Sequence, residues 1–395
     1  MKIEAVKDRT HRCVGCSQCF GGGGPYLPFV DGYQTVSKWK CPTLEYYQFF
    51  SHTARAKSYF AREVAHKKLK LDEELEKIFF GCPDCGCCDH ICPPIPHMNI
   101  SRAMKAELAK QNLVPHRSIT LNKNMRGKKN LFGSTNIHRS KWATGLNLLK
   151  KGEILYFAGC YASWRQMKTA HSMVTLLRKG GINPVFLGED EWCCGLHAGF
   201  SGDFNLEKDL ATHNVKAIEQ TGAKTVILSC ANCYRTFYSD YPALVGELPF
   251  KVIHAVEILP ELIESGKIKL KSREKVRVTL HDPCHFGKQH IGRRHELYDE
   301  TRQTIKSLPG IDFTEMEYVR RWSACCGGGN SVTSSNTPDF TEFHSTKRCK
   351  EAKHVADVLL TPCVRCVENL SLASRKNKIG LEVRSLLEFV AERAE

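Results

Sequence analysis

The sequence predicts an α+β / α/β protein, with a mostly helical N-terminal module followed by two pseudo-symmetric α/β units with short parallel sheets. Three observations support this fold class. The first hundred residues carry cysteines at both ends and a helical-looking stretch between them, from Leu44 to Phe80. From Glu153 onward, short apolar runs of strand length alternate with amphipathic stretches of helical period. The same series of cysteines then occurs twice, which indicates an internal repeat.

The composition is that of a globular protein whose cysteines need a special explanation. The chain has 395 residues, of which 42% are hydrophobic and 25% charged, enough for two or three domains. It contains no apolar stretch of membrane-spanning length, and its first residues lack the apolar core of a secretory signal. We therefore expect a cytoplasmic protein without a membrane span. Disulfides are rare in that compartment, so twenty cysteines indicate metal binding.

The N-terminal segment ends in a cysteine run with the spacing of a bacterial ferredoxin. CPDCGCCDHICPP places Cys82, Cys85 and Cys88 three positions apart, and Cys92 follows directly before a proline. In bacterial ferredoxins the fourth cysteine of such a run binds the other of two clusters. A zinc site is disfavoured, because four cysteines in this run suit two clusters better. Residues 1–100 are therefore predicted to form a two-cluster 4Fe-4S ferredoxin-like domain.

A second and less regular run lies close to the N-terminus. CVGCSQC is followed by a glycine-rich insertion, after which Cys41 again precedes a proline. Two alternatives to Cys41 as a ligand stay open: it is a structural thiol and its cluster has three protein ligands, or Cys87 replaces it. The preferred prediction is two cubane 4Fe-4S clusters, the first on Cys13, Cys16, Cys19 and Cys92, the second on Cys41, Cys82, Cys85 and Cys88.

Residues 101–152 form a basic connector. The chain has a formal net charge of +15, and twelve Lys and Arg residues but one acid, Glu107, lie between Arg102 and Lys151. This charge fits a basic face that docks on an acidic redox partner or nucleic acid, or a solvated and partly irregular linker. Because no helix-turn-helix, RNA-binding or zinc-finger signature accompanies the charge, a protein partner is favoured and no nucleic acid is expected.

The remaining chain divides into two α/β units, residues 153–270 and 271–395. ILYFAG, NPVFLG and TVILSC predict buried strands in the first unit, and VRVTLHDPC, FTEMEY and ADVLLTPC predict them in the second. Amphipathic segments between these runs predict crossover helices. Parallel strands joined by such helices give an α/β unit.

Five cysteines recur in both units at matching intervals. A single cysteine precedes an adjacent pair by thirty-two residues in one unit and by forty in the other. Thirty-five and thirty-six residues then separate the pair from a closing Cys-x2-Cys. Two such sets do not arise by chance, so the unit is repeated. The first set is Cys160, Cys193, Cys194, Cys230 and Cys233, and the second is Cys284, Cys325, Cys326, Cys363 and Cys366.

The five sulfurs of a unit are far apart in sequence but are predicted to meet. The single cysteine and the closing motif each follow a predicted strand, and the carboxyl ends of parallel strands line one crevice. The adjacent pair offers two thiols from one loop, and the glycine after it, Gly195 or Gly327, allows close backbone approach. A disulfide within the pair is the alternative, which repetition of the whole pattern disfavours.

Each unit resembles the CCG domain of heterodisulfide reductase, with the second copy departing from the family's pattern by one residue in its first gap. A two-cubane module followed by two such domains resembles the D subunit of that enzyme, which is similar to its C and B subunits fused. A close candidate is the electron-transfer subunit of class II benzoyl-CoA reductase. The resemblance covers nearly the whole chain, and the displaced cysteine near the N-terminus, Cys41, is its main departure.

The resemblance implies a non-cubane 4Fe-4S cluster on the five cysteines of each unit, and cleavage of a disulfide. His197 and His285 lie beside these cysteines and could act catalytically by delivering protons. They could equally hydrogen-bond a cluster sulfur or pack in the core. Asp282 is a further candidate for a catalytic residue, or it is a turn residue. Cys349 fits no motif and is expected to be a buried thiol.

Two functions are compatible with this layout, both in a multi-subunit complex. As a conduit, the chain passes electrons from the cubanes to the CCG clusters, and this is preferred. As an enzyme, it binds a small disulfide in an open cleft between the units, lined by His197 and Gly328. A nucleic-acid-binding protein with structural clusters is a remote third. Without a Rossmann or P-loop motif, the chain needs partners, such as a flavin-binding heterodisulfide reductase A-like subunit or a membrane cytochrome-like one.

Overall fold

The computed structural model describes residues 3–16, 19, 41–92, 94–289 and 296–395. The described part of the N-terminal module is helical, as predicted, and the glycine-rich insertion lies outside it. A 3-10 turn, Phe50–His52, follows the second helix. The helices are α1 (Glu4–Thr10), α2 (Pro42–Tyr47), α3 (Ala54–Ala65), α4 (Glu73–Phe80), α5 (Cys87–Ile91) and α6 (His97–Lys110).

Capping side chains divide the predicted helical stretch into separate helices. The Thr53 hydroxyl accepts a hydrogen bond from the Ala56 N–H before α3, and the Asp72 carboxylate accepts one from the Leu75 N–H before α4. Such caps satisfy backbone donors that the first turn of a helix leaves unpaired. The apolar face of α4 then packs against α6, which leads into the connector.

The connector is mostly helical and contributes to the interior. It contains the end of α6, then α7 (His116–Lys128), and a 3-10 helix, Asn136–Ala143. Three of its twelve cations, Arg102, Lys105 and Arg139, are buried. Each of them pairs with a buried carboxylate. The interpretation as a solvated, partly irregular linker therefore does not hold for these residues.

The first α/β unit has a three-stranded parallel sheet. Strands β1 (Ile154–Phe157), β2 (Thr225–Leu228) and β3 (Lys251–His254) lie in that order. The predicted NPVFLG strand is reduced to parallel bridges from Val185 at the free edge of β1. A 3-10 turn, Gly188–Asp190, and a π-helical turn, Thr236–Asp240, interrupt the helices. These are α8 (Gly159–Trp164), α9 (Met167–Lys179), α10 (Leu196–Phe200), α11 (Phe204–Thr221), α12 (Ala231–Arg235), α13 (Tyr241–Val245) and α14 (Ala255–Glu264).

The second unit repeats this arrangement with four parallel strands. The order is β5-β4-β6-β7, in which the strands are β4 (Val276–Leu280), β5 (Ile311–Phe313), β6 (Val358–Thr361) and β7 (Glu382–Ser385). The helices are α15 (Tyr298–Lys306), α16 (Val332–Asn336), α17 (Pro338–Val355), α18 (Val364–Lys376) and α19 (Leu386–Ala391). The 3-10 turns are Cys284–Phe286, Arg320–Trp322 and Gly329–Ser331.

The two sheets match strand for strand when the Val185 bridge is taken as the counterpart of β5. The predicted pair of pseudo-symmetric α/β units is thereby confirmed. Two details of the prediction were wrong. FTEMEY begins where the edge strand β5 ends, and β3 and β7 were missed. Both missed strands contain few apolar residues and run directly into a helix, so they do not stand out from the helical pattern.

A continuous apolar core extends through both units and into the N-terminal module. Its buried strand residues include Leu155, Ile227, Val278 and Leu359. Across the part of the chain that the structure describes, none of the helices combines the length and the apolar character needed to cross a bilayer.

Candidate iron–sulfur centres

All twenty cysteines belong to the described residues, and none of them forms a disulfide. Fourteen are buried and Cys16 is exposed. Burial makes ionisation of a thiol unfavourable unless a cation or a metal compensates it. Burial, for example, is the main cause that raises the pKa of Cys82 to about 11 and that of Cys19 to about 12.

The four cysteines assigned to the first cubane lie near one another. Cys19 interacts electrostatically with Cys92 and Cys13, although its strongest thiol neighbour is Cys41 of the other set. Cys92 likewise interacts with Cys16 and Cys13. Burial, followed by these like charges, raises the pKa of Cys92. Cys92 directly follows α5, and its backbone N–H donates to the carbonyl of Cys88. The short helix thus carries one cysteine towards each of the two predicted cubane sites.

The cysteines assigned to the second cubane line one shared cavity. Cys41 precedes α2, and its sulfur lies 3.1 Å from the Thr43 hydroxyl. Lys57 of α3 also lines the cavity, is buried, and hydrogen-bonds the Cys82 thiol. A buried cation beside these thiols favours their ionised form. The cysteines lining the cavity are Cys19, Cys41, Cys82, Cys85, Cys87 and Cys88.

Because Cys41 and Cys87 both line the cavity, the choice between them stays a prediction. We expect Cys41→Ala to lose the iron of one cubane, about four atoms, and Cys87→Ala to retain it. Iron analysis and the electron paramagnetic resonance (EPR) spectrum of the reduced protein measure this. Cys349→Ala is the matched control, because Cys349 is a buried cysteine outside the predicted ligand sets. It lies on α17, and its thiol donates a hydrogen bond to the Leu370 carbonyl. Loss of iron from Cys87→Ala but not from Cys41→Ala would reverse the assignment.

The predicted cysteine sets of both units converge at the carboxyl ends of the strands. The single cysteine and the closing Cys-x2-Cys of each unit follow a strand end, as expected. Nine of the ten thiols form one continuous line of thiol-to-thiol contacts. In spatial order they are Cys160, Cys193, Cys194, Cys233, Cys230, Cys363, Cys366, Cys326 and Cys325.

The two sets meet where Cys230 of the first unit contacts Cys363 of the second. Within the second set, the Cys326 and Cys366 sulfurs are 3.3 Å apart. Cys284 interacts electrostatically with Cys326 and Cys363, and burial raises its pKa. The two five-cysteine sets are therefore neighbours in the folded chain.

The N-terminal module approaches the second unit through its CPDC loop. Gln289 links the two parts, because its amide donates to the Asp84 carbonyl at 2.7 Å and to the Cys284 sulfur at 3.6 Å. Lys288 is buried and interacts electrostatically with Cys87 and Cys85 on one side and with Cys284 on the other, which raises its pKa despite burial. The cavity of the second predicted cubane therefore lies next to the cysteine set of the second unit.

The first set has a buried ion pair at its outer end. Arg139 of the connector and Glu191 are both fully buried, and the Arg139 Nη1 lies 2.6 Å from the Glu191 Oε1. Burial raises the pKa of Glu191, although Arg139 and the backbone N–H groups of Ala158 and Gly159 oppose the rise. Arg139 also donates to the Cys160 sulfur at 3.5 Å. The pair thus fixes the turn that carries Cys160.

The junction between the units is covered. The helix α10 follows the cysteine pair of the first unit, and it packs against the 3-10 turn Gly329–Ser331 that follows the pair of the second. The connector helix α7 lies against both α10 and α16. Hydrogen bonds hold it there, from Asn122 to Ser201 at 3.0 Å and from Asn336 to Ser118 at 2.8 Å.

The two candidate catalytic histidines are both buried. His197 lies on α10, and burial lowers its pKa to about 3. The Nε2 of His285 hydrogen-bonds Asn330 at 2.6 Å, and burial lowers the pKa of His285 to about 4. The Asp282 carboxylate accepts hydrogen bonds from both terminal nitrogens of Arg302, each at 2.9 Å. Proton delivery by the histidines stays a prediction, and Asp282 serves as an ion-pair partner.

At one position the backbone lies so close to the cysteines that no side chain fits. Gly159 has a φ of +75°, and a Cβ there would lie 2.7 Å from the Cys233 sulfur. Buried, unbridged thiols with nearby cations are the donor set of iron–sulfur proteins. The residues present therefore fit iron–sulfur clusters in both units and in the N-terminal module.

Sequence reasoning missed four polar residues at these centres. Lys57, Lys288 and Arg139 contact cysteines from other parts of the chain, and no local pattern marks them. His281 does carry a signal, because it stands three residues before Cys284. Its side chain lies against Cys326 and Cys366.

Comparisons with known proteins agree with these features. The cysteine-rich CCG domain family matches residues 154–238 and 278–371. The D subunit of the dihydromethanophenazine:CoB–CoM heterodisulfide reductase of Methanosarcina barkeri is 32% identical, over 96% of this chain and 93% of the relative. The B subunit of the CoM/CoB fumarate reductase of Methanothermobacter marburgensis is 27% identical, over 99% of this chain and 74% of the relative. The EtfAB:quinone oxidoreductase of Syntrophomonas wolfei is 30% identical, over 67% of this chain and 38% of the relative.

The predicted resemblance is confirmed by these relatives over nearly the full chain. The protein is an iron–sulfur electron-transfer subunit with two CCG domains. By sequence, cysteine pattern and domain order, this chain belongs to the family of the heterodisulfide reductase D subunit.

Proposed function

We propose that the chain conducts electrons from its N-terminal module first to the second CCG unit and then to the first. Four clusters, two cubane and two non-cubane, would supply one-electron redox centres on the cysteine sets assigned above. The order is supported by one observation. Cys85 of the N-terminal module interacts with Cys325 and Cys284, and Cys363 contacts Cys230 further on. The cysteines of the second unit thus lie between those of the module and those of the first unit.

The donor is expected to dock at the N-terminal module. Cys16 is the exposed cysteine, which brings one predicted cubane close to the surface. A flavin-binding or cytochrome-like subunit is the class of donor that such an entry point suits, because the chain has no nucleotide-binding motif of its own. Twenty cysteines at the spacings of metal ligands are in keeping with a cytoplasmic complex.

Reduction of a disulfide by this chain is the second candidate. It is favoured by the relatives' name, which specifies a heterodisulfide of CoB and CoM. Conduction is favoured by the covered junction, because His197 and Gly328 are both buried there and α7 lies over it. We prefer conduction, since an enzyme of this kind needs an open cleft for its substrate.

A panel of small disulfides, including the CoB–CoM heterodisulfide, distinguishes the two candidates. The reduced, cluster-loaded protein is mixed anaerobically with each compound, and the visible absorbance of the clusters is followed. We expect little reoxidation by any disulfide without partner subunits, whereas an outer-sphere oxidant such as ferricyanide reoxidises the protein at once. Rapid reoxidation by one disulfide would make this chain the enzyme.

A further inference from the structure

The two units differ at the residue that stands three positions before the single cysteine. In the first unit it is Phe157, which ends β1, is fully buried and packs edge-on against Phe237, with ring centroids 4.7 Å apart. In the second unit it is His281, whose backbone N–H donates to the Leu360 carbonyl at 2.9 Å and continues the β4–β6 ladder. The same place in the repeat therefore holds an apolar ring in one unit and an imidazole in the other.

The His281 imidazole faces the cysteines of its own unit. It is 1% exposed, and the ligand atoms of His281, Cys326 and Cys366 all lie within 4.8 Å of one another. The Cys326 thiol is hydrogen-bonded to His281. A buried imidazole needs a partner for each ring nitrogen, because an unpaired polar atom in the interior is costly.

The other ring nitrogen is occupied by Arg348 of α17. The Nε of Arg348 lies 3.3 Å from the His281 Nδ1. Arg348 is fully buried, and a guanidinium can only donate hydrogen bonds. Its remaining nitrogens donate to Glu351 at 2.6 Å, to the Tyr318 carbonyl at 2.8 Å and to the Ser323 hydroxyl at 3.2 Å. These bonds fix the guanidinium, so Nδ1 of His281 must accept and the ring proton resides on Nε2.

We propose that His281, held in this tautomer by Arg348, donates an Nε2–H hydrogen bond to a cysteine sulfur of the second unit and makes that unit's cluster easier to reduce than the first unit's. The inference rests on the proposed function, because it takes a cluster to be bound in each unit. A hydrogen bond to a ligand sulfur stabilises the negative charge that reduction adds. Phe157 offers no such donor.

The charges around the two cysteine sets act in the same direction as the His281 hydrogen bond, because they also make the cluster of the second unit easier to reduce. Lys288 is a buried cation that interacts with Cys87 and Cys85 of the N-terminal module and with Cys284 of the second unit, whereas Arg139, the cation beside Cys160, is paired with the buried Glu191. A cation that is not paired with a carboxylate favours the reduced form of the clusters next to it more than an ion pair does. The second unit therefore holds an electron that enters from the N-terminal module, and the first unit receives it when a partner or acceptor draws it onward.

The test compares His281→Phe, which installs the first unit's residue, with His281→Gln, which keeps an N–H donor. Midpoint potentials are measured on the full, cluster-loaded chain by EPR-monitored titration, and Cys284→Ala identifies the signal of the second unit. We expect His281→Phe to retain its iron and shift that one potential downward, with the other signals unchanged. His281→Gln should show a smaller downward shift.

A second measurement needs no variant. In wild-type protein labelled with 15N-histidine, the second-unit signal should show a weak nitrogen coupling and a proton coupling that disappears in D2O. A strong nitrogen coupling would make His281 an iron ligand and overturn its role as a donor. An unchanged potential in His281→Phe at full iron content would overturn the inference alone, whereas a wild-type iron content of half the expected value would overturn the proposed function with it.

Discussion

Replacing Arg139 by methionine should lower the free energy of unfolding by about 3–5 kcal/mol, the usual cost of breaking a buried ion pair by removing one partner. The substitution leaves the fully buried Glu191 carboxylate without its cation. Methionine keeps much of the side-chain volume, so the loss of stability measures the effect of removing the positive charge. Because Arg139 also contacts the Cys160 sulfur, we expect iron to be lost from the first unit as well.

Denaturant unfolding and iron analysis measure both effects. Arg126→Met is the matched control in the same connector, since Arg126 is half exposed where it pairs with Asp203. An exposed pair of this kind contributes about 1 kcal/mol or less. The double variant Arg139→Met, Glu191→Gln should recover part of the loss, because no buried charge is then left unpaired. A single variant as stable as Arg126→Met would contradict the role given to this pair.

Gly159→Ala should abolish cluster binding by the first unit, with a loss of about four irons. An alanine Cβ at this position would lie 2.7 Å from the Cys233 sulfur, well inside van der Waals contact. The Gly159 backbone also has a φ of +75°, a conformation that costs an alanine about 1–2 kcal/mol. The crowded sulfur must therefore move out of the set.

Gly222→Ala separates the steric contact with a sulfur from the strain of the left-handed backbone. Gly222 has a φ of +80°, but a Cβ added there would have nothing within 4 Å, so alanine at this position meets the backbone strain alone. We expect this control to be slightly destabilised and to keep its full iron content. If Gly159→Ala also kept its iron, the first set would not hold a cluster close to this backbone.

The cysteine sets and the repeated sheets could be predicted because both depend on short-range spacing. A Cys-x2-Cys is confined to one turn, and a cysteine at the end of a parallel strand must face the crevice. For that reason Cys230 and Cys363 were placed correctly at strand ends, and the structure then brings the two into contact. The edge strands β3 and β7 were missed because each is four residues long and continues into a helix.

The charged residues around the centres could not be predicted in the same way. The basic connector has one acid within it, and its charge was therefore interpreted as a surface feature. Three of its cations are instead buried against carboxylates more than twenty residues away in sequence, such as Asp84 for Lys105 and Glu191 for Arg139. Only the folded chain brings these partners together, and Lys288 owes its place between two cysteine sets to the same cause.

The iron and sulfide content of anaerobically purified protein tests the central claim most directly, namely that each of the four cysteine sets holds a four-iron cluster. We expect about sixteen irons and as many inorganic sulfides per chain. The measurement should be made beside circular dichroism, so that iron content is compared among folded samples. A reproducible value of about eight irons in folded protein would contradict the account, because the two five-cysteine sets would then carry no clusters.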